Sequence, residues 1–118
     1  MNKKPNIIKN KTYKFALDII NIYKQMINQN EFILSKQLIR SATSIGANIQ
    51  EATAAQSRKD FISKLSISSK EARETNYWLR LLRDSKLCED IDYTDLINES
   101  AEIIKILTSI VKTTSSKK

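Results

Sequence analysis

Carboxylates are the side chains of this sequence whose type and spacing could suit a metal or catalytic site. Glu71 and Glu74 stand one helical turn apart, and Glu51 lies on a neighbouring predicted helix. Di-iron helical bundles use a Glu-x-x-His motif, but this chain contains no histidine. We therefore interpret these glutamates as salt-bridge or interface residues, and we expect no catalytic residue, no metal site and no cofactor.

Nucleophilic catalysis also lacks the residues it needs. Ser–His and Cys–His pairs require a histidine, and a zinc site requires several Cys or His ligands. Cys88 is the only cysteine, which predicts an incidental thiol and a reducing, cytoplasmic setting. No apolar run approaches the roughly 20 residues of a membrane span, and the N-terminus lacks the apolar core of a signal peptide. We expect neither membrane association nor a small-molecule substrate.

Positive charge is the feature that most favours a binding function. The chain has 20 Lys and Arg residues against 13 Asp and Glu residues, a formal net charge of +7. Five basic or aromatic residues fall within a band about 80° wide on one predicted helix; they are Lys59, Lys70, Arg73, Tyr77 and Arg80. This basic stripe contains no acidic residue before Asp84 and could contact successive phosphates and stack on a base. A solvated helix face gives the same pattern, so spacing alone leaves both interpretations open.

A second group of lysines lies at the chain ends and predicts only non-specific attraction. Its members are Lys3, Lys4, Lys9, Lys11, Lys14, Lys117 and Lys118. The sequence contains no helix-turn-helix, zinc finger, RNA-recognition or P-loop motif. Sequence-specific base reading is therefore not expected.

The elements that carry these residues are all predicted to be helices. One glycine and one proline cannot supply the turns of a β-sandwich or barrel, which argues against an all-β fold. Leu, Ile, Lys, Glu and Ala dominate the periodic segments, which predicts an all-α fold. Apolar rows at helical spacing predict a first helix over residues 13–28 with Thr12 as its N-cap, followed by helices that open at Ser35, Ser57 and Asp92. The third helix is expected to end near residues 84–86.

Short connections between these helices predict an antiparallel, up-down-up-down four-helix bundle. The whole chain is expected to form one domain over residues 1–118. Residues 1–11 and 113–118 are predicted to be flexible ends.

The second helix carries the only glycine, Gly46, within the small-residue stretch "SATSIGANIQEATAAQ". A helical glycine costs about 1 kcal/mol relative to alanine, so a packing reason is expected. The small residues could make room for large side chains on neighbouring helices, namely Phe15, Tyr23, Phe61 and Trp78. Alternatively, Ser44, Gly46 and Ala47 could admit another backbone, including one from a second subunit.

Polar residues beside the apolar seam of this helix should find partners across a helix contact. Antiparallel pairing about Ser57 places Arg40 level with Glu74, which predicts a salt bridge between them. Asn48 and Glu51 share a face, and we expect at least one of them to bond across a helix contact.

The stretch "RSATSIGANIQEA", residues 40–52, resembles the most specific motif of the 23S rRNA intervening-sequence protein family, a four-helix-bundle family. The run "KDFISKLSISSKEARETNYWLRLL", residues 59–82, is similar to the third helix of that family. The first and fourth helices match only in pattern. Some relatives carry glycine where Ala52 stands here, a difference that a helix tolerates.

The resemblance implies a compact bundle that associates into rings, commonly homopentamers. Some family members are encoded within insertions in bacterial 23S rRNA genes, and a related branch assists the reverse transcriptase of diversity-generating retroelements. No catalytic residues are established for the family. Two hypotheses follow: an oligomeric protein that binds RNA or DNA, or an adaptor that binds another protein through Trp78, Leu81 and the fourth helix.

Overall fold

The computed structural model describes residues 4–116, and these residues form four α-helices and no strand. The helices are α1 (Lys4–Asn28), α2 (Leu34–Thr53), α3 (Arg58–Ser85) and α4 (Thr94–Ser115). Each helix packs against two others, in the cyclic order α1, α2, α3, α4. The result is a rod of 50 × 21 × 19 Å, which confirms the predicted antiparallel up-down-up-down bundle.

The core follows the apolar rows that the sequence predicts. On α3 the row is buried along its whole length apart from Phe61, which is half-buried; the buried members are Leu65, Ser68, Ala72, Thr75, Leu79 and Leu82. Both hydroxyls in this row bond to α2. Ser68 donates to the carbonyl of Ile45 at 2.8 Å, and Thr75 donates to the Ser41 hydroxyl at 2.9 Å.

The predicted start of the first helix is wrong. Helix α1 begins at Lys4, so residues 4–11, predicted as part of a flexible end, are helical, and Ile8 is fully buried. Thr12 is not an N-cap but a buried residue of the helix interior. Its hydroxyl donates to the carbonyl of Ile8, four residues earlier, at 2.8 Å. Residues 1–3, 117 and 118 lie outside the described part of the chain.

The three later helices differ in how they begin. Ser57 is the N-cap of α3, as predicted, and its hydroxyl accepts a hydrogen bond from the N–H of Asp60 at 3.0 Å. The Asp92 carboxylate accepts one from the N–H of Thr94, the first residue of α4. Ser35, however, is not the cap of α2. It lies inside the first turn, and its hydroxyl donates to the carbonyl of Glu31.

Gly46 faces α1 of the same chain. A β-carbon added at Gly46 would lie 3.5 Å from the Thr12 hydroxyl oxygen and 3.7 Å from the Thr12 carbonyl oxygen, which are ordinary contact distances. The backbone that approaches Gly46 within this chain is therefore that of α1, and the nearest side chain is Thr12, not one of the predicted large residues. Within residues 4–116, no helix is long and apolar enough to cross a membrane.

Candidate nucleic-acid interface

The basic stripe lies on the outer face of α3, opposite the buried row of that helix. Lys59, Lys70, Arg73 and Arg80 are exposed, and Tyr77 exposes 48% of its surface. The first and last residues are 21 positions apart, which corresponds to about 30 Å along the helix axis. The structure thus brings all five predicted residues to one solvent-accessible face.

The acidic residues of α3 form no salt bridge with the stripe residues, although the charge of Asp84 acts on Arg80. Glu71 and Glu74 lie on the α2 side of the helix, and Asp84 pairs with its neighbour Arg83 at 2.7 Å. Between residues 4 and 116, Lys59, Lys70 and Arg73 form no ion pair. An unpaired cation keeps its full charge available to an anionic ligand, and several along one face add their fields.

Arg80 is held in place by a polar bridge to α4. Its Nε donates to the side-chain oxygen of Asn76 at 2.8 Å, and the Asn76 amide donates to the Ser100 hydroxyl at 2.9 Å. The Arg80 guanidinium carbon lies 5.9 Å from the centre of the Tyr77 ring, within cation–π range. Asn76 was not predicted as a site residue, since its role depends on a partner in another helix.

Tyr77 also contacts the neighbouring tryptophan. The Tyr77 and Trp78 ring centres are 5.3 Å apart and the ring planes meet at 65°, an edge-to-face arrangement. This contact and Arg80 limit the freedom of the Tyr77 ring, while about half of its surface remains open. The ring could therefore offer a stacking surface at a fixed position on the stripe.

The stripe borders a groove between α3 and α4 with a volume of about 310 Å³. The groove is lined by Ser66, Ser69, Arg73, Thr108, Val111 and Lys112. Lys112 lies on α4. The periodicity of single helices could not predict that Lys112 lines the same groove as Arg73 on α3. The cationic surface therefore extends beyond the predicted stripe onto the next helix.

The predicted salt bridge between Arg40 and Glu74 is confirmed. The Arg40 guanidinium binds Glu74 and also reaches Glu71 at 3.4 Å, and Trp78 Nε1 donates to the Glu74 carboxylate at 3.1 Å. The hydrogen bond to Glu74 raises the pKa of Arg40. Both glutamates thus serve a link between α2 and α3, and residues 4–116 contain no cluster of Cys, Asp and Glu that could hold a metal ion.

The prediction for Asn48 and Glu51 is wrong. The Asn48 amide donates to the carbonyl of Ser44 at 2.8 Å, inside α2, because this carbonyl lies one turn earlier on the same face. Glu51 is exposed and forms no hydrogen bond or ion pair with the described residues. Neither residue joins two helices.

The N-terminal lysines lie partly within intramolecular pairs. Lys11 binds Glu99 at 2.8 Å and Glu102 at 3.1 Å, which ties α1 to α4, and Lys14 pairs with Asp18. The hydrogen bond to Glu99 raises the pKa of Lys11 despite partial burial. Lys11 and Lys14 are thus less available to a ligand than the stripe. The predicted Lys3, Lys117 and Lys118 lie outside the described residues.

The fold and the charged face define a class: a small, basic four-helix-bundle protein with a cationic stripe on one helix. The chain belongs to the 23S rRNA-intervening sequence protein family, whose model matches residues 4–109. This match confirms the resemblance read from the α2 motif.

A solved structure agrees with this assignment. The chain is similar to a crystal structure of a protein of unknown function from the S23 ribosomal protein family of Bacteroides thetaiotaomicron, with 53% identity and a TM-score of 0.86. The similarity covers 92% of this chain and 98% of the other. Among curated proteins, none matches this sequence.

Proposed function

We propose that this protein is a non-enzymatic, cytoplasmic homo-oligomer that binds nucleic acid, with RNA or RNA–DNA intermediates as the preferred ligand. The observation that carries the proposal is the stripe on α3, in which Lys59, Lys70 and Arg73 are exposed and unpaired within the described residues. Phosphate backbones are recognised by such charge without a base-reading motif. Family membership supports the choice of RNA because the family is named for insertions in 23S rRNA.

The expected mode of binding is electrostatic and strongly salt-dependent. If the four cations of the stripe each neutralise one phosphate of a single strand, the logarithm of the affinity should fall with the logarithm of salt concentration with a slope of about −2.8. Tyr77 would add stacking worth about 1–3 kcal/mol. One subunit would thus bind weakly and without strong sequence preference.

Association of subunits would multiply this weak contact through avidity. The resemblance suggests a pentameric ring, and α1 offers apolar surface for such contacts. Tyr13 is 69% exposed and lines a groove of about 500 Å³ together with Gly46 and Ala47, and Leu17, one turn later on α1, is 52% exposed. Light scattering coupled to gel filtration measures the stoichiometry, and a monomeric protein would contradict this part of the proposal.

The stripe is tested by reversing its charge. The variant Lys70→Glu, Arg73→Glu, Arg80→Glu should lose binding to labelled RNA in fluorescence anisotropy while its far-UV circular dichroism stays unchanged. The matched control, Lys24→Glu, Lys36→Glu, Lys105→Glu, alters three exposed lysines on the other helices by the same total charge. Binding that survives the first variant as well as the control would remove the stripe from the proposal.

The second candidate function is an adaptor for another protein. It is favoured by three exposed apolar residues at one end of the rod, Phe32 at 59%, Ile33 at 77% and Leu87 at 41% exposure, which line one cleft. Trp78 is half-buried against the core, whereas Leu81 is 37% exposed, so Leu81 is the more accessible of the two predicted interface residues. Capture of one defined protein at high salt, without retained nucleic acid, would favour this alternative.

A further inference from the structure

The groove between α3 and α4 collects hydrogen-bond donors that the fold itself does not use. Arg73 and Lys112 form no ion pair with the described residues, and the hydroxyls of Ser66 and Ser69 bond to none of them. Only Thr108 among the lining hydroxyls is engaged, since it donates to the carbonyl of Ile104 at 2.8 Å. Two helices thus present free donors to one space of about 310 Å³.

The charge in the groove has one sign. Its six lining residues are two cations, three hydroxyl residues and Val111, and they include no carboxylate. The two cations and the free hydroxyls favour a ligand that is anionic and accepts several hydrogen bonds at once. A phosphate group meets this description because a guanidinium can bind two of its oxygens in parallel while hydroxyls and an ammonium reach the others.

We propose that this groove is a seat for one phosphodiester group of a nucleic-acid strand that crosses from the stripe on α3 to α4. This inference rests on the proposed function and deepens it. Arg73 provides the bidentate contact, Lys112 provides the opposing charge, and Ser66 and Ser69 donate hydrogen bonds from the α3 wall. The strand is thereby held between two helices, not only along one.

The salt dependence of binding counts these contacts. Each phosphate contact removed lowers the slope of log affinity against log salt by about 0.7 for a single strand. The variant Arg73→Gln, Lys112→Gln removes both cations from that one phosphate and should therefore lower the slope for a labelled oligouridylate by about 0.7, whereas the control Lys24→Gln, Lys105→Gln should leave it unchanged. The variant Ser66→Ala, Ser69→Ala should weaken binding about fivefold per lost hydrogen bond without altering the slope.

Failure of the seat and failure of the proposed function give different results. If the wild-type protein binds oligouridylate and the Arg73, Lys112 variant shows an unchanged slope, the seat is refuted and Arg73 leaves the stripe. Nucleic-acid binding through Lys59, Lys70 and Arg80 then stands. If the wild-type protein does not bind RNA or DNA, the proposed function fails and the seat for nucleic acid fails with it.

An NMR titration with inorganic phosphate distinguishes the source of the anion. Inorganic phosphate should change the chemical shifts of the Ser66 and Ser69 backbone amides. The same changes on adding oligouridylate at lower concentration support the seat. Shifts with inorganic phosphate alone would make the groove a site for a free anion and would overturn the inference. Each comparison uses only variants whose amide spectrum shows that they are folded.

Discussion

The carboxylate of Glu31 should hold the start of α2, and its removal should destabilise the whole bundle. Its two oxygens accept hydrogen bonds from the N–H groups of Ile33 at 3.3 Å, Leu34 at 3.0 Å and Ser35 at 2.7 Å. These groups lie at the helix start, where N–H groups lack a partner within the helix. Replacing a capping side chain by alanine costs about 1–2 kcal/mol, so Glu31→Ala should lose about that much stability. For a domain of this size, the loss corresponds to roughly 3–10 °C in Tm.

The effect should depend on pH in a defined direction. Partial burial alone would raise the pKa of Glu31, but the hydrogen bonds from Leu34 and Ser35 outweigh it and hold the pKa below the ordinary value of 4.5. A carboxylate whose pKa is lowered by folding adds stability above its unfolded pKa, and this stability is lost as pH falls through the folded value. The stability difference between wild type and Glu31→Gln should therefore be constant near neutral pH and shrink below about pH 4.5.

Urea unfolding followed by far-UV circular dichroism measures these differences at neutral and acidic pH. Glu51→Ala is the matched control, because Glu51 is an exposed glutamate near the other end of α2 without a partner among the described residues. It should change stability by less than about 0.5 kcal/mol. An unfolding midpoint for Glu31→Ala equal to that of the control would refute the capping role of Glu31.

Three further predictions concern α2 and its contacts. Gly46→Ala should stabilise the fold by about 1 kcal/mol in urea unfolding, because its β-carbon fits against Thr12 and alanine favours a helix; a loss of stability would contradict this. Ser68→Ala should cost about 1 kcal/mol, since it removes the buried bond to the Ile45 carbonyl; thermal unfolding should show the loss. Arg40→Gln should cost up to about 1 kcal/mol and less at high salt, because Arg40 is half exposed; an equal loss at both salt concentrations would argue against an electrostatic cause.

The sequence predicts the fold well because helical periodicity determines which residues face the core. The α3 row and the Ser57 cap follow from spacing alone, and the Arg40–Glu74 pair follows from antiparallel pairing about one short turn. The start of α1 was missed because a threonine hydroxyl suits both an N-cap and a bond to the preceding turn. Pro5 was a usable signal, since proline is tolerated in the first turn of a helix.

The site was only partly predictable. All five stripe residues lie on one helix, so their common face follows from 100° per residue. The groove and the Asn76 bridge join α3 to α4, and such contacts depend on how far one helix is rotated and shifted against the other. The Asn48 prediction failed for the opposite reason, because a local contact was overlooked. The Asn48 amide donates to a carbonyl one turn earlier in its own helix and so needs no partner on a neighbouring helix.

The hydroxyl bonds from Ser68 to Ile45 and from Thr75 to Ser41 carry a consequence for the alignment of two rods. The apolar side chains that repeat along α2 and α3 would allow one helix to slip along the other by one full turn, about 5.4 Å, with little change in contact area. Such a slip would leave buried hydroxyl groups without hydrogen-bond partners, and burying an unpaired polar group costs free energy. These bonds therefore fix the register of α2 against α3 and keep Arg40 opposite its glutamates. A redesign that packs equally well but lacks these bonds should lose its unique register before it loses its helices.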